Sequence, residues 1–329
     1  MATIKDVAAR ANVSFKTVAR VLNGEPHVRP ELIKRVREAV DEIGYRPTEA
    51  ARALASRKSN VIAVPILPIT FSYISRMLIS LTQECRKRRH YLLPEVFESQ
   101  EDVMDWTAKM PVEPLAVILF PPFSDHMELI EKLEQQKVPI VRIAQTVPGY
   151  GISVPVSDYA VTLELMQHLL GLGHRRIGII APSLMANATE ERVQAYMDAL
   201  TDAGIPFDDS LFIRGNFVFE VAVDAARKLL ALNNPPTAIF ATSDDMAMAV
   251  LAVARELEIR VPEDLAIAGF DDNSEASKVF PALTTIHQPI EEIARVAVQA
   301  AIEGQPIALD FQHKLIVRGS TVKATPRMC

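Results

Sequence analysis

The chain has 329 residues, 49% of them apolar, more than a single core normally spans, so two or three domains are expected. Residues 1–60 carry 12 Lys and Arg against 7 Asp and Glu while the remainder carries 23 against 34, so a basic head precedes an acidic body, a split that suits a polyanion partner for the head. Cys85 and Cys329 are too few for a disulfide framework or a Cys-rich metal site, and the scattered histidines lack metal-site spacing. No basic start runs into an apolar leader and no 18-residue apolar stretch marks a membrane span, so a cytoplasmic protein without membrane partners is expected.

In chain order, Ile4, Val7, Ala8 and Ala11 fall on one stripe of a first short helix, with Thr3 placed as its N-cap. A break at Asn12-Val13 leads into a second helix. Val18, Val21 and Leu22 turn to one side of it, leaving Phe15, Lys16, Ala19 and Arg20 on the other. A helix fits the major groove, where Arg and Lys donate to guanine and an aromatic edge meets a thymine methyl. The competing reading is a solvated amphipathic hairpin. A third helix is predicted over Pro30–Ile43 on the stripe Ile33, Val36, Val40 and Ile43, stopped by Gly44. Then YRPTEAARALASRKSN predicts a short Ala-rich helix whose single large apolar side chain is Leu54, too short to stand without a partner.

From Val61, apolar runs at 61–65, 116–120, 139–143, 177–181, 238–241 and 265–268 read as strands. They alternate with amphipathic stretches at 73–89, 125–136, 159–170, 191–203, 221–232 and 245–257, the last with Met246, Val250, Val253 and Leu257 on one face. The fold class is therefore an all-α head followed by an α/β body of two doubly wound parallel-sheet units, with a ligand cleft beyond the carboxyl ends of the strands. No G-x-S-x-G elbow, Walker loop or H-E-x-x-H is present, and GLGHRR at 171–176 lacks the third glycine of a dinucleotide loop, so neither an enzyme nor a cofactor is expected.

Several motifs in order carry a resemblance to the LacI/GalR family of bacterial transcription regulators: TIKDVA, VSFKTVARVLN, IGYRP at 43–47 and AARALAS in the head, then GLGHRRIGII, PTAIFATSDDMA, VPEDLAIAGFDD, PALTTIHQP and VRGST in the body. The resemblance implies a helix-turn-helix domain over 1–45, a hinge helix and linker over 46–60, and an effector-binding and dimerisation domain over 61–329 like the periplasmic sugar-binding proteins. That domain would divide into an N-subdomain (about 61–157 and 288–312) and a C-subdomain (about 158–287 and 313–329). The implied protein is a homodimeric repressor of carbohydrate genes on a pseudo-palindromic, double-stranded operator, modulated by a small molecule, a sugar first, with a non-sugar metabolite or a degenerate effector pocket as the alternative. The ending TVKATPRMC lacks the leucine-heptad helix of the family's tetramers. A periplasmic solute-binding protein would share the body but not the head.

Position by position, the resemblance implies that Phe15, Lys16 and Arg20 read bases, that Thr3, Ser14, Thr17, Asn23, His27 and Tyr45 hold the DNA backbone, and that Leu54 wedges into the minor groove. It implies effector contacts from Phe71, Ser72, Arg192, Phe217, Ser243, Asp244 and Asp271. For these, plain structural roles compete: Asp271 and Asp272 as strand terminators, Arg192 paired with Glu190 or Glu191, Phe217 in the core. Ala19 stands where the family usually has Ser and Thr48 where Asn is usual. In the cleft, Ser243 replaces Asn, Ala195 replaces Gly, Ala144-Gln145 replaces an Asp-Arg pair, and the 67–75 loop lacks an acid, which predicts a rather apolar pocket.

Overall fold

The computed structural model describes residues 3–22, 28–45, 59–67, 71–110, 113–182, 189–215, 217–308 and 310–321. The chain divides into two compact units at Asn60 and Val61.

The head is built from α1 (Ile4–Ala11), α2 (Phe15–Leu22) and α3 (Pro30–Ile43). Thr3 and Asp6 cap α1 reciprocally: the Asp6 amide donates to Thr3 Oγ1 at 3.4 Å while the Thr3 amide donates to Asp6 Oδ2 at 2.8 Å. Asn12, at φ 51°, ends the helix in the left-handed conformation that Asn tolerates. Val7, Ala8, Ala11, Val18, Val21, Val36, Ala39 and Tyr45 make a small core, and Arg35 ties α3 to the turn by donating to the Ala11 carbonyl at 2.6 Å. The predicted 50–55 helix, with Leu54, lies outside the described residues, as do Asn23 and His27.

In the body, β1 (Val61–Ile66), α4 (Phe71–Lys87), β2 (Tyr91–Val96), α5 (Trp106–Lys109), β3 (Ala116–Leu119), α6 (Met127–Gln135), β4 (Ile140–Ile143) and β5 (Ile152–Val154) build a first parallel sheet in the order β2-β1-β3-β4-β5. A second follows from α7 (Tyr159–Gly171), β6 (Ile177–Pro182), α8 (Glu190–Asp202), β7 (Phe212–Gly215), α9 (Phe219–Leu230), β8 (Ala238–Ala241), α10 (Asp244–Glu256) and β9 (Ala266–Ala268), parallel in the order β7-β6-β8-β9. β10 (Thr285–His287) leads into α11 (Ile290–Glu303), which packs on the first sheet, and β11 (Lys314–Ile316) returns to pair antiparallel with β10.

Strand residues feed both faces because successive side chains point to opposite sides of the sheet. Ile62, Val64 and Ile66 pack with Met77 and Leu81 of α4 and Ile293 and Ala297 of α11, whereas Ala63 joins Val117, Leu119, Leu129 and Leu133 on the other side. In the second sheet Ile239, Ala241 and Ile267 meet α9 and α10, while Ala238, Phe240, Ala266 and Ala268 meet α7 and α8. No described helix is long and apolar enough to cross a membrane.

The two-sheet α/β class is as expected, with several local differences. β2, α5, β5, β7, β10, α11 and β11 are additional elements. β2 lies at a sheet edge with every residue exposed or half-buried, and β5, β10 and β11 are only three residues long. Leu257 does not continue the buried face of α10: the helix ends at Glu256 and Leu257, at its C-cap, is exposed. The long helix predicted from residue 73 starts two residues earlier, at Phe71, and ends at Lys87.

Candidate DNA interface and effector cleft

In α2 the amphipathic division is sharp. Val18 and Val21 are buried, whereas Phe15 is 63% exposed and Lys16 is exposed beside it at the helix start. Ser14 sets that start: its Oγ accepts from the Thr17 amide at 3.1 Å and lies 2.9 Å from the Thr17 hydroxyl. An exposed phenyl ring gains nothing in water, so a residue of this kind at the first turn of a helix is suited to contact another molecule. Arg20 follows one turn later, half-buried, and Tyr45 lies within the head core.

In the body, the carboxyl ends of the strands of both sheets converge where α4 meets the second half. Ser72 Oγ donates to Asp245 Oδ1 at 2.9 Å, and Arg76, one turn further along α4, donates to the carbonyls of Asp271 at 2.8 Å and Asp272 at 3.2 Å. Both residues have positive φ, 110° and 51°, conformations that cost non-glycine residues about 1–3 kcal/mol and cluster at binding sites. Arg192 on α8 is buried. Its Nε and Nη2 grip Asp158 Oδ2 at 2.9 and 2.8 Å, Nη1 donates to the Thr242 carbonyl at 2.6 Å, and the guanidinium lies 3.5 Å over the Phe270 ring. His313 Nε2 approaches the other Asp158 oxygen to 3.3 Å. Asp158, before α7, thus joins α8 to the segment that precedes β11.

Of the seven expected effector residues, Ser72, Arg192 and Asp271 come together at this junction. Arg192 does not pair with Glu190 or Glu191. Glu191 instead accepts from the Ser157 hydroxyl at 2.8 Å and from the Asp158 and Tyr159 amides at 2.6 and 3.1 Å, closing the start of α7. Ser243 is buried as the N-cap of α10, accepting from the Met246 amide at 3.3 Å. Asp244 is fully buried, accepting from the Thr285 hydroxyl at 2.6 Å and the Asn273 amide at 2.7 Å. Gly269 is required beside it, since a Cβ there would run into the Asp244 carboxylate. Ser243 and Asp244 therefore shape the wall rather than offer free groups. Phe217 packs against the α9–α10 side of the second core, and Phe71 opens α4. From α4, Tyr73 and Arg76 also come to the junction beside Asp271.

Burial sets the electrostatics. It pushes Asp271 well above the usual carboxylate range, with the neighbouring Asp244 charge adding to the effect and Arg192 opposing it. Burial likewise pushes Asp244 to about 7 against the hydrogen bonds from Thr285 and Asn273. Asp158 goes the other way: burial would raise it, but Arg192 and His313 together hold it below the ordinary value. Burial raises the Tyr73 hydroxyl, and the Asp271 and Asp158 charges raise it further.

A carboxyl raised in the native state keeps its proton where the unfolded chain has lost it. Its stabilising contribution is therefore complete below pH about 4 and is lost as the pH climbs toward 7. Urea unfolding of the protein is expected to show a body less stable at pH 8 than at pH 5 by about 2–3 kcal/mol from Asp244 alone, with Asp271 acting in the same direction. Asp244→Asn should flatten that slope, and a stability that rises from pH 5 to pH 8 would contradict the assignment.

Residues 3–48 match the model of bacterial regulatory proteins of the lacI family, and residues 166–321 match that of the periplasmic binding protein-like domain. Catabolite control protein A of Priestia megaterium is 32% identical over 300 residues, covering 90% of each chain. The chain belongs to the LacI family of bacterial regulatory proteins. The HTH-type transcriptional repressor PurR of Vibrio atlanticus is 29% identical over 338 residues, 98% of this chain and 99% of its own. The structure of a transcriptional regulator CelR-cellobiose complex superimposes with a TM-score of 0.71 at 29% identity, over 97% of this chain and 100% of that one.

For this LacI-family chain, sequence reasoning missed Tyr73, Arg76, Asp158 and Gln288, whose Nε2 donates to Asp271 Oδ1 at 2.6 Å. Two of them carried a usable signal. Arg76 lies one helical turn after Ser72, on the same face, and Asp158 stands immediately before a predicted helix. Gln288 and Asp271 are 17 residues apart and meet only because β10 runs beside the end of β9.

Proposed function

We propose that the protein is a homodimeric repressor that places α2 in the major groove of a pseudo-palindromic operator and is not an enzyme. The observation that carries this reading is the exposed Phe15–Lys16 pair at the start of a helix whose opposite face is buried. In it Phe15, Lys16 and Arg20 read base edges, Thr3, Ser14, Thr17, Asn23, His27 and Tyr45 hold the backbone, and Leu54 enters the minor groove. Operator selection from random duplexes followed by fluorescence anisotropy tests the reading. Arg20→Ala should cost about 1–3 kcal/mol on the selected site and relax preference at one base pair. A protein that selects no duplex sequence at low salt would overturn it.

The effector is proposed to be a sugar held between the two halves of the body, with Asp271 and Arg192 facing its hydroxyls and Tyr73 its ring. The CelR-cellobiose complex supports a sugar, and the Asp271 carboxyl, which accepts from Gln288, and the Arg192 guanidinium, which pairs with Asp158, keep further acceptor and donor capacity for vicinal hydroxyls. Its binding is proposed to act on DNA affinity through differential affinity for two arrangements of the halves. A thermal-shift screen of mono- and disaccharides is expected to find a ligand that raises the melting temperature and that fails to do so in Asp271→Asn. A non-sugar metabolite remains the second reading, favoured if only such a compound shifts the transition.

A further inference from the structure

Most polar side chains where the two halves of the body meet are already engaged. Ser72 donates to Asp245, Arg192 holds Asp158, and Asp244 accepts from Thr285. Asn273 is different. It follows the 271–272 turn beyond the carboxyl end of β9 and is 2% exposed, no shallower than Asp271 and Arg192. Its backbone is fixed: the N–H donates to Asp244 Oδ2 at 2.7 Å and the carbonyl accepts from the Ala276 amide at 3.0 Å. Yet neither Oδ1 nor Nδ2 of its side chain has a partner, and among the described residues no other side chain leaves both a buried donor and a buried acceptor unmet. A buried amide in that condition destabilises the fold, and a ligand that brings both partners removes the penalty.

The charges nearby narrow the chemistry of that ligand. The loops that follow β1, β3, β4, β6, β7, β8 and β9, residues 67–70, 120–126, 144–151, 183–188, 216–218, 242–243 and 269–274, contain neither Lys nor Arg. Three arginines reach the junction from other elements, and each has an acid: Arg192 has Asp158 at 2.8 Å, Arg318 has Asp272 at 2.6 Å and Arg76 has Glu291 at 3.5 Å. Asp244, Asp245 and Asp271 stand beside them with no ion pair among the described residues. A phosphate or carboxylate entering here would give up its water, face these carboxyls and find all three arginines paired. A hydroxyl meets no such penalty.

We propose that Asn273 is a further effector-binding residue and that it takes an uncharged pair of neighbouring hydroxyls, so that the cleft excludes sugar phosphates and sugar acids. The inference rests on the effector reading above and narrows it to uncharged sugars. A primary amide presents an acceptor and a donor side by side, so one hydroxyl donates to Oδ1 while its neighbour accepts from Nδ2.

The test is a thermal-shift titration of the intact protein with glucose, galactose, fructose and cellobiose, each beside its phosphate ester, and with glucuronate and galacturonate. Only uncharged compounds should raise the melting temperature, and a saturable rise with a phosphate or a carboxylate overturns the class. Asn273→Leu and the smaller Asn273→Val remove the unmet groups, so at least one of them should unfold at the same or a higher urea concentration. Each should need about tenfold more of the responding sugar for the same thermal shift. A lower urea midpoint in both variants would show that the side chain is bonded within the native molecule, and an unchanged sugar response in a folded variant would show that it does not touch the ligand. Either result overturns the assignment of Asn273. A rise with none of the compounds would instead overturn the sugar reading and the class together, whereas failure confined to the variants leaves that reading standing, so the two failures are distinguishable.

Discussion

Replacing Arg192 with Met is expected to destabilise the body by about 3–5 kcal/mol and to abolish the ligand-induced rise in melting temperature. Asp158 is buried on every side, and its native charge is maintained by the two Arg192 contacts at 2.9 and 2.8 Å together with His313. Met has similar length and fills the space over Phe270, so packing loss is small. What remains is an uncompensated carboxylate in a low-dielectric site. The double variant Arg192→Met/Asp158→Asn removes that charge as well and should recover a large part of the stability without recovering the ligand response, since the Arg192 guanidinium stays absent. Equal destabilisation in the single and double variants, by urea unfolding at pH 7, would show that the ion pair is not the cause. A ligand response retained in Arg192→Met would remove Arg192 from the effector site.

The second large effect concerns a residue with no expected role. Arg142 in β4 is 1% exposed, the largest fully buried side chain among the described residues. Its Nε donates to the Ser124 carbonyl at 2.6 Å, Nη1 to the Gly149 carbonyl at 2.7 Å and Nη2 to Asp125 Oδ1 at 2.5 Å. Asp125 in turn accepts from the Thr146 amide and hydroxyl at 2.9 and 3.0 Å and from the Val147 amide at 3.1 Å, so one buried pair pins the turns after β3 and β4. Arg142→Met should lower the unfolding free energy by about 3–5 kcal/mol, because the carbonyls and the carboxylate lose their donors where water cannot replace them. The exposed pair Arg260–Asp264, with contacts of 2.6 and 2.8 Å, provides the contrast. Arg260→Met should leave the urea midpoint in place, because solvent screens that pair and substitutes for it. If both substitutions shift the midpoint alike, burial is not what decides the cost.

These two arginines show where sequence reasoning reaches its limit. Arg142 sits in the run VPIVRIAQ, and nothing within a few residues announces that its partner is Asp125, 17 positions earlier. Arg192 has acidic neighbours at Glu190 and Glu191, which offered a local partner, yet the helix directs its side chain inward to Asp158, 34 positions away. The head is the opposite case. Its three helices, the Asn12 break and the Gly44 stop were all legible, because caps and a 3.6-residue stripe are local signals that do not depend on the rest of the fold. The central strands were legible for the same reason. Short or edge strands such as β2 and β5 were not, since β5 spans three residues and β2 breaks its apolar start with Pro94 and Glu95 at a half-exposed edge.

By itself, the sequence determined the elements: which helices form, which faces they bury, the order of strands and helices that makes two parallel sheets, and the family to which the motifs point. Only the tertiary structure decided which polar groups meet. It turned Ser243 and Asp244 inward, brought Tyr73 and Arg76 to Asp271, and gave Arg192 a distant carboxylate. The physical reason is range. Helix and strand formation is governed by hydrogen bonds and apolar spacing over a few residues, whereas a buried charge must find its counter-charge wherever the fold happens to place one.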